Sequence, residues 1–159
     1  LLLLTLPGVP AFYLPALLAT PNDNARFRIS GHRRDLNRPQ FQLDRLERLL
    51  ADSESDTSQV VVSLQQAMAV RRRQAALDPF APMTVLSEGR SDLVILQRGE
   101  GASTLFAVHN FSDVRLSFPL SSLADSTESG WHDVLNGHSL VAGQTALELE
   151  PFAVHWLIR

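Results

Sequence analysis

The sequence predicts an α/β segment over residues 1–80 and an antiparallel all-β domain, a small sandwich, over residues 81–159. Three observations predict it. Helical periodicity is confined to the first half, where Leu43, Leu46, Leu49 and Leu50 recur on one face and Val60, Leu64, Ala67 and Met68 on another. That pattern stops at Pro79 and Pro82. From Met83 onward, short apolar runs alternate with Gly, Asn, Asp and Ser turns at regular spacing, as in small antiparallel sandwiches.

Each element follows from local chemistry. Leu1–Leu6 reads as the end of a buried helix stopped by Pro7-Gly8. Because it opens without Met, as if within an element, the chain is expected to be a piece of a larger protein. Gly8-Val9-Pro10-Ala11-Phe12-Tyr13 is short and apolar and predicts a buried strand with Pro near its start. Residues 14–42, rich in Pro, Asn, Asp and Arg, read as a long connection of the functional kind. A helix over Leu43–Leu50 follows, then a polar break over residues 51–56. Asp56 with Gln59 three positions on predicts a capping box for the next helix. Arg71-Arg72-Arg73 fall in its last turn, where cations complement the helix dipole and a solvated end is expected.

Strands are predicted at Thr84–Ser87, Leu93–Gln97, Thr104–Val108, Val114–Phe118, Ala146–Leu149 and Phe152–Ile158. The intervening turns are Glu88-Gly89-Arg90, Arg98-Gly99-Glu100-Gly101, Asn136-Gly137 and Ala142-Gly143.

Composition excludes several classes. The 159 residues are 45% apolar and 19% charged, enough for one domain or two small ones. A formal net charge of −3 gives no electrostatic reason for a nucleic-acid or membrane partner. The absence of Cys removes disulfides and thiolate metal sites. All fourteen basic residues are Arg, which removes a Schiff-base or P-loop lysine. The leucine run lacks a basic n-region and a cleavage site, and Pro7, Pro10 and Pro15 punctuate it well short of the roughly 20 residues a membrane span requires.

Other side chains take ordinary readings. His32, His109, His132, His138 and His155 never fall at metal-ligand spacing on one helix, so no metal site is expected. His155 reads as a strand-face residue. Trp131 and Trp156 could form a carbohydrate platform, but core packing is the first expectation. Tyr13 could reach a site or simply pack. Ser53, Ser55 and Ser58 show no partnership with His and Asp.

Several strings resemble the α-amylase superfamily, glycoside hydrolase family 13. Gly8-Val9-Pro10 with Phe12-Tyr13 is similar to the entry into the eighth barrel strand. His109-Asn110-Phe111-Ser112, Trp131-His132-Asp133 and Pro151-Phe152-Ala153-Val154-His155-Trp156-Leu157 resemble the superfamily's C-terminal β domain. Leu17-Leu18-Ala19, Asn22-Asp23, Arg34-Asp35-Leu36-Asn37-Arg38 and Met68-Ala69-Val70-Arg71-Arg72-Arg73-Gln74 narrow the resemblance to the sucrose phosphorylase branch, which includes enzymes of glucosylglycerate and sucrose 6-phosphate.

That resemblance implies the terminal segment of a (β/α)8 TIM barrel over residues 1–80, then the β-sandwich. It implies a cytoplasmic glucosyl-transferring phosphorylase that needs no cofactor, with an α-glucoside and inorganic phosphate as small-molecule partners. Retention requires two carboxyl groups about 5 Å apart. The family's Asp nucleophile, Glu acid–base and assisting Asp match no position of this chain, so no catalytic residue is expected and the remainder of the barrel is missing.

The expected contribution is one wall of a glucose pocket, on the loop after the eighth strand. The resemblance makes Arg34, Asp35, Asn37 and Arg38 the candidate substrate-binding set, with Leu36 in place of the usual Ile. Arg34 falls on the sugar, whose diol suits a guanidinium fork, while Asp35, Asn37 and Arg38 fix the loop. The competing reading is that Arg34 staples the loop or lies on the surface. At the level of the protein, an α-glucosidase or transglucosidase of the same superfamily and a non-catalytic carbohydrate-binding or structural β module remain as alternatives.

Overall fold

The computed structural model describes residues 1–87, 89–123, 130–141 and 143–159. Glu88 and Ala142, in two of the expected turns, lie outside the described residues. The chain divides into two compact units: Leu1–Pro10 with Ala67–Arg159, and Ala11–Gln66. The division does not follow the expected boundary at residue 80.

The first unit is mostly antiparallel sheet. Its strands are β1 (Met83–Val85), β2 (Leu93–Arg98), β3 (Leu105–Asn110), β4 (Leu116–Pro119), β5 (His132–Asp133), β6 (His138–Ser139), β7 (Ala146–Leu149) and β8 (Val154–Ile158). Six form one sheet in the order β1-β2-β3-β8-β5-β6, and β4 pairs with β7 in a second. Leu93, Ile95, Val108 and Leu157 of the larger sheet share a buried cluster with Phe118, Leu147 and Leu149 of the smaller one. Alternating inward residues from two sheets make a sandwich core, as expected. Trp131 and Trp156 are buried in this unit, Trp131 edge-on to Phe106 with ring centroids 5.7 Å apart.

Two strands escaped the sequence reading. β5 and β6 have two residues each, too few to show alternation, and are joined across the anticipated Asn136-Gly137 turn, with Gly137 at φ +74°.

Two buried arginines explain why the first ten residues belong to the β unit. Arg98 is completely buried; its Nη1 donates to Thr5 O at 2.6 Å and its Nη2 to Asp78 O at 2.8 Å and Ala81 O at 3.2 Å. Arg71 donates through Nη1 to Leu4 O and through Nη2 to Gly8 O at 3.0 Å. Planar guanidiniums thus gather carbonyls that have no helix or sheet partner. Arg71 is therefore not the solvated helix end expected, although Arg72 and Arg73 are exposed.

The barrel segment expected of residues 1–80 is not present. Leu1–Leu6 contains one turn of 3-10 helix, Leu2–Leu4, rather than the end of a buried α-helix. Gly8–Tyr13 forms no strand; Val9 is 82% exposed. A strand exists by pairing its N–H and C=O groups with neighbours, and this stretch pairs with no other strand.

The second unit holds α1 (Leu14–Leu17), α2 (Asn24–Ser30), α3 (Arg33–Leu36), α4 (Leu43–Ala51) and the first three turns of α5 (Asp56–Arg71). The expected long connection thus carries three short helices. α2 forms because Asp23 Oδ1 accepts the Arg26 N–H at 2.9 Å and stops because Gly31, at φ +67°, returns its N–H to Phe27 O. The cap of α5 lies one residue before the predicted position: Ser55 Oγ accepts the Ser58 N–H at 3.1 Å and donates to Leu49 O. Ser58 Oγ donates to Leu50 O at 3.2 Å, so both serines satisfy helix ends. Val60, Leu64, Ala67 and Met68 share a face as predicted, with Ala67 fully buried. No helix among the described residues is long and apolar enough to cross a membrane.

Candidate functional site

The loop carrying Arg34 is fixed at three points. Asp23 N–H donates to Leu36 O at 2.7 Å, Arg26 Nε lies 3.5 Å from Asp35 Oδ1, and the Tyr13 hydroxyl donates to Asn37 O at 2.8 Å. The Ser30 hydroxyl, with Arg26, His32 and Arg34, holds the Asp35 carboxyl below the usual carboxylate range. Tyr13 therefore staples the loop through its phenolic hydroxyl, and Asp35 does so through Arg26.

Arg34 is exposed on α3, and Arg38 is exposed after it. A groove of about 350 Å³ lies in the same unit, lined by Asn22, Asp23, Gln40, Phe41, Arg45 and Thr57 among others. Arg34, Asp35, Asn37 and Arg38 are not among its walls. The groove offers amide, carboxylate, hydroxyl and guanidinium groups around the apolar Phe41, a mixture suited to a hydroxylated ligand. Thr57 fixes its floor by donating Oγ1 to Leu18 O at 2.9 Å. Sequence reasoning did not single out Arg45 or Gln40, because only the leucines of the Leu43–Leu50 helix carry a periodic signal and Gln40 falls within the long connection.

The β unit contains a second polar cluster. Asp133 pairs across the hairpin with His138 and across β8 with Leu157. Directly opposed residues share a face, and so does His155, two positions from Leu157. Asp133 is fully buried and densely bonded: Oδ1 accepts N–H groups of Leu135 and Trp156 at 3.1 Å and Asn136 at 3.3 Å, and Oδ2 accepts Asn136 Nδ2 at 2.6 Å. His155 Nδ1 lies 2.7 Å from the same Oδ2. Burial pushes the Asp133 carboxyl up, but the bonds from His155, Asn136 and Trp156 outweigh it and hold the group below its ordinary value. The ligand-capable atoms of Asp133, His138 and His155 lie within 4.8 Å of one another. Looking for histidines along one helix hid this cluster; the turn at Asn136-Gly137 was the available signal, because it sets the register that brings His138 opposite Asp133.

His109-Asn110-Phe111-Ser112 also has a structural meaning. Asn110 Nδ2 donates to Val114 O at 2.8 Å, Glu150 O at 2.9 Å and Leu149 O at 3.3 Å, while its Oδ1 accepts the Ser112 N–H and hydroxyl. It is a buried junction between the ends of β3 and β7.

Residues 83–158 match the family described as amylosucrase, C-terminal domain. The chain is 33% identical over 112 residues to a glucosylglycerate phosphorylase of Allomeiothermus silvanus, a match that covers 70% of this chain and 20% of the relative. It is 27% identical over 111 residues to the glucosylglycerate phosphorylase of Escherichia coli, with the same coverage of 70% and 20%. The chain spans about one fifth of the length of these curated relatives. Among solved structures, an Anoxybacillus α-amylase superimposes with a TM-score of 0.69 at 14% identity, over 98% of this chain and 30% of that one. A mutant trehalulose synthase gives a TM-score of 0.51 at 20% identity, over 70% of this chain and 19% of that one. These structural likenesses establish the fold.

Proposed function

We propose that the chain, whose residues 83–158 match the amylosucrase C-terminal-domain family, is part of a retaining phosphorylase that transfers glucose from glucosylglycerate, or a similar α-glucoside, to inorganic phosphate. The observation that carries the proposal is the 33% identity over 112 residues to a protein of that named activity. The loop from Asp23 to Asn37 supports it, because the string Arg34-Asp35-Leu36-Asn37-Arg38 is tethered at three points with Arg34 exposed. The groove beside Arg45 and Asp23 supplies hydroxyl-recognising groups in the same unit.

In this role the chain binds and positions. The two carboxyl groups that a retaining mechanism needs match no residue here, so the chemistry belongs to other parts of the parent enzyme. The parent should release glucose 1-phosphate from glucosylglycerate plus phosphate faster than from sucrose plus phosphate. The 159-residue chain alone should release none from either. Release of free glucose without glucose 1-phosphate would make the parent a hydrolase, and turnover by this chain alone would overturn the assignment of the catalytic groups elsewhere.

A further inference from the structure

The pairing of Asp133, His138 and His155 has the layout of a transition-metal site. We propose that His138 and His155, at the edge of the six-stranded sheet, bind a divalent transition metal such as Zn²⁺, with Asp133 as the group that orients His155.

Asp133 itself is not a ligand. Its two oxygens already accept five hydrogen bonds, from Leu135, Asn136 (twice), Trp156 and His155. What it supplies is direction. With Nδ1–H donated to the Asp133 carboxylate at 2.7 Å, a neutral His155 carries its lone pair on Nε2. A buried carboxylate behind an imidazole is the usual support for a metal-binding histidine: it fixes the tautomer and ring plane and raises the basicity of the other nitrogen. The carboxylate is fully buried and rigidly held, whereas His155 is partly accessible and His138 exposed. The two rings meet edge to face at 88°, with centroids 6.4 Å apart.

The geometry required is simple. Two imidazole nitrogens each about 2.0–2.1 Å from Zn²⁺ lie roughly 3.4 Å apart in a tetrahedral arrangement. The cluster as a whole is compact, with one ligand-capable atom from each of Asp133, His138 and His155 within 4.8 Å of the others, and closure on the Nε2 side of His155 needs a swing of the exposed His138 side chain. His138 is free to make it because it sits on β6, the edge strand of two residues. Imidazole nitrogens favour Zn²⁺, Ni²⁺ and Cu²⁺ over Mg²⁺ and Ca²⁺, and water completes the coordination.

The test is calorimetric titration of the full chain with Zn²⁺, beside His138→Gln and His132→Gln. His132 is on the same hairpin but bonds Ser139 through Nδ1, so it serves as the control. The expected result is one saturable site in the wild type, affinity weakened at least about tenfold by His138→Gln, and no change in His132→Gln. Nitrogen-edited NMR should show the His155 Nε2 resonance shifting with one equivalent of Zn²⁺ while Nδ1 stays protonated. No saturable binding below millimolar Zn²⁺, equal affinity in His138→Gln, or an unmoved His155 resonance would each overturn the proposal. His138 is exposed, so its replacement should leave the fold intact, and circular dichroism verifies this.

Discussion

Three residues carry the tests at the smallest scale. His109 is buried, 2% exposed, and its Nε2 has no partner among the described residues. Its ring stacks on Phe111. Burial pushes its pKa down from 6.5 to about 4. The unfolded chain therefore takes up a proton below pH 6.5 that the folded chain refuses until about pH 4. Stability should fall by about 3 kcal/mol across that window and the effect should level off below it. The Asp133 contribution has a separate window: its lowered carboxyl stabilises the fold above the ordinary carboxylate pKa, and this is lost only at more acidic pH. Urea melts at pH 7 and 4.5 should show His109→Gln losing most of the wild-type drop; an unchanged drop would assign the pH dependence to other groups. Arg34 supplies the functional test. In the full-length parent, Arg34→Lys keeps the charge and loses the planar fork, so kcat/KM on the glucosyl donor should fall by about 1.5–3 kcal/mol, roughly tenfold to a hundredfold. Arg90→Lys, which alters an exposed pair with Asp92, is the control. A folded Arg34→Lys enzyme with full kcat/KM would make Arg34 a surface residue.

At the scale of elements, the turn at Gly99, between β2 and the 3-10 helix Gly101–Ser103, has no room for a side chain. A Cβ on Gly99, at φ +75°, would clash with Ser103 O and lie 3.1 Å from Ala76. Backbone cannot yield as a flexible side-chain tip can, and the positive φ is itself unfavourable to alanine. Gly99→Ala should cost roughly 2–4 kcal/mol in chemical denaturation, the range of combined steric and backbone effects. Gly130→Ala, where no atom lies within 4 Å of the added methyl and φ is not positive, should cost far less. Similar losses would mean that the 3-10 turn relaxes. The elements also show what was legible in the sequence. β2, β3, β7 and β8 could be read because short runs rich in Leu, Val, Ile and Phe are set off by Gly, Asn, Ser or Pro. The helices α4 and α5 followed from leucine and valine spacing. The supposed strand at Gly8–Tyr13 misled because apolar residues alone do not make a strand without neighbours to bond. Arg98 misled in the other direction: a charge beside a glycine reads as a turn, yet here it ends a buried strand because four main-chain oxygens surround its guanidinium. In the candidate site, the sequence revealed the Arg34 string but neither the tethers from Tyr13 and Arg26 nor the Asp133 cluster, since those depend on register and not on spacing along the chain.

At the scale of the whole molecule, burial divides unevenly. α1, α2, α3 and α4 contain no buried residues, whereas all six residues of β3 are buried. Local opening free energy follows buried apolar contact. Hydrogen exchange should therefore leave β2, β3 and β8 protected longest, with amides in Ala11–Gln66 exchanging much earlier. The 3-10 turn at Leu2–Leu4 should exchange with the β unit; protection of Leu4 and Thr5 matching that of α2 would contradict the unit boundaries. The same tethers also bear on synthesis. Leu4 and Thr5 are made before the guanidiniums that donate to their carbonyls, which arrive 67 and 93 residues later, at Arg71 and Arg98. A chain growing on the ribosome at about 5–20 residues per second must carry those carbonyls without these two donors for several seconds. Nascent chains released before Arg98 would lack the tether on Thr5, so the synthesis of Arg71 to Arg98 is the interval in which this segment is held by one guanidinium of its two.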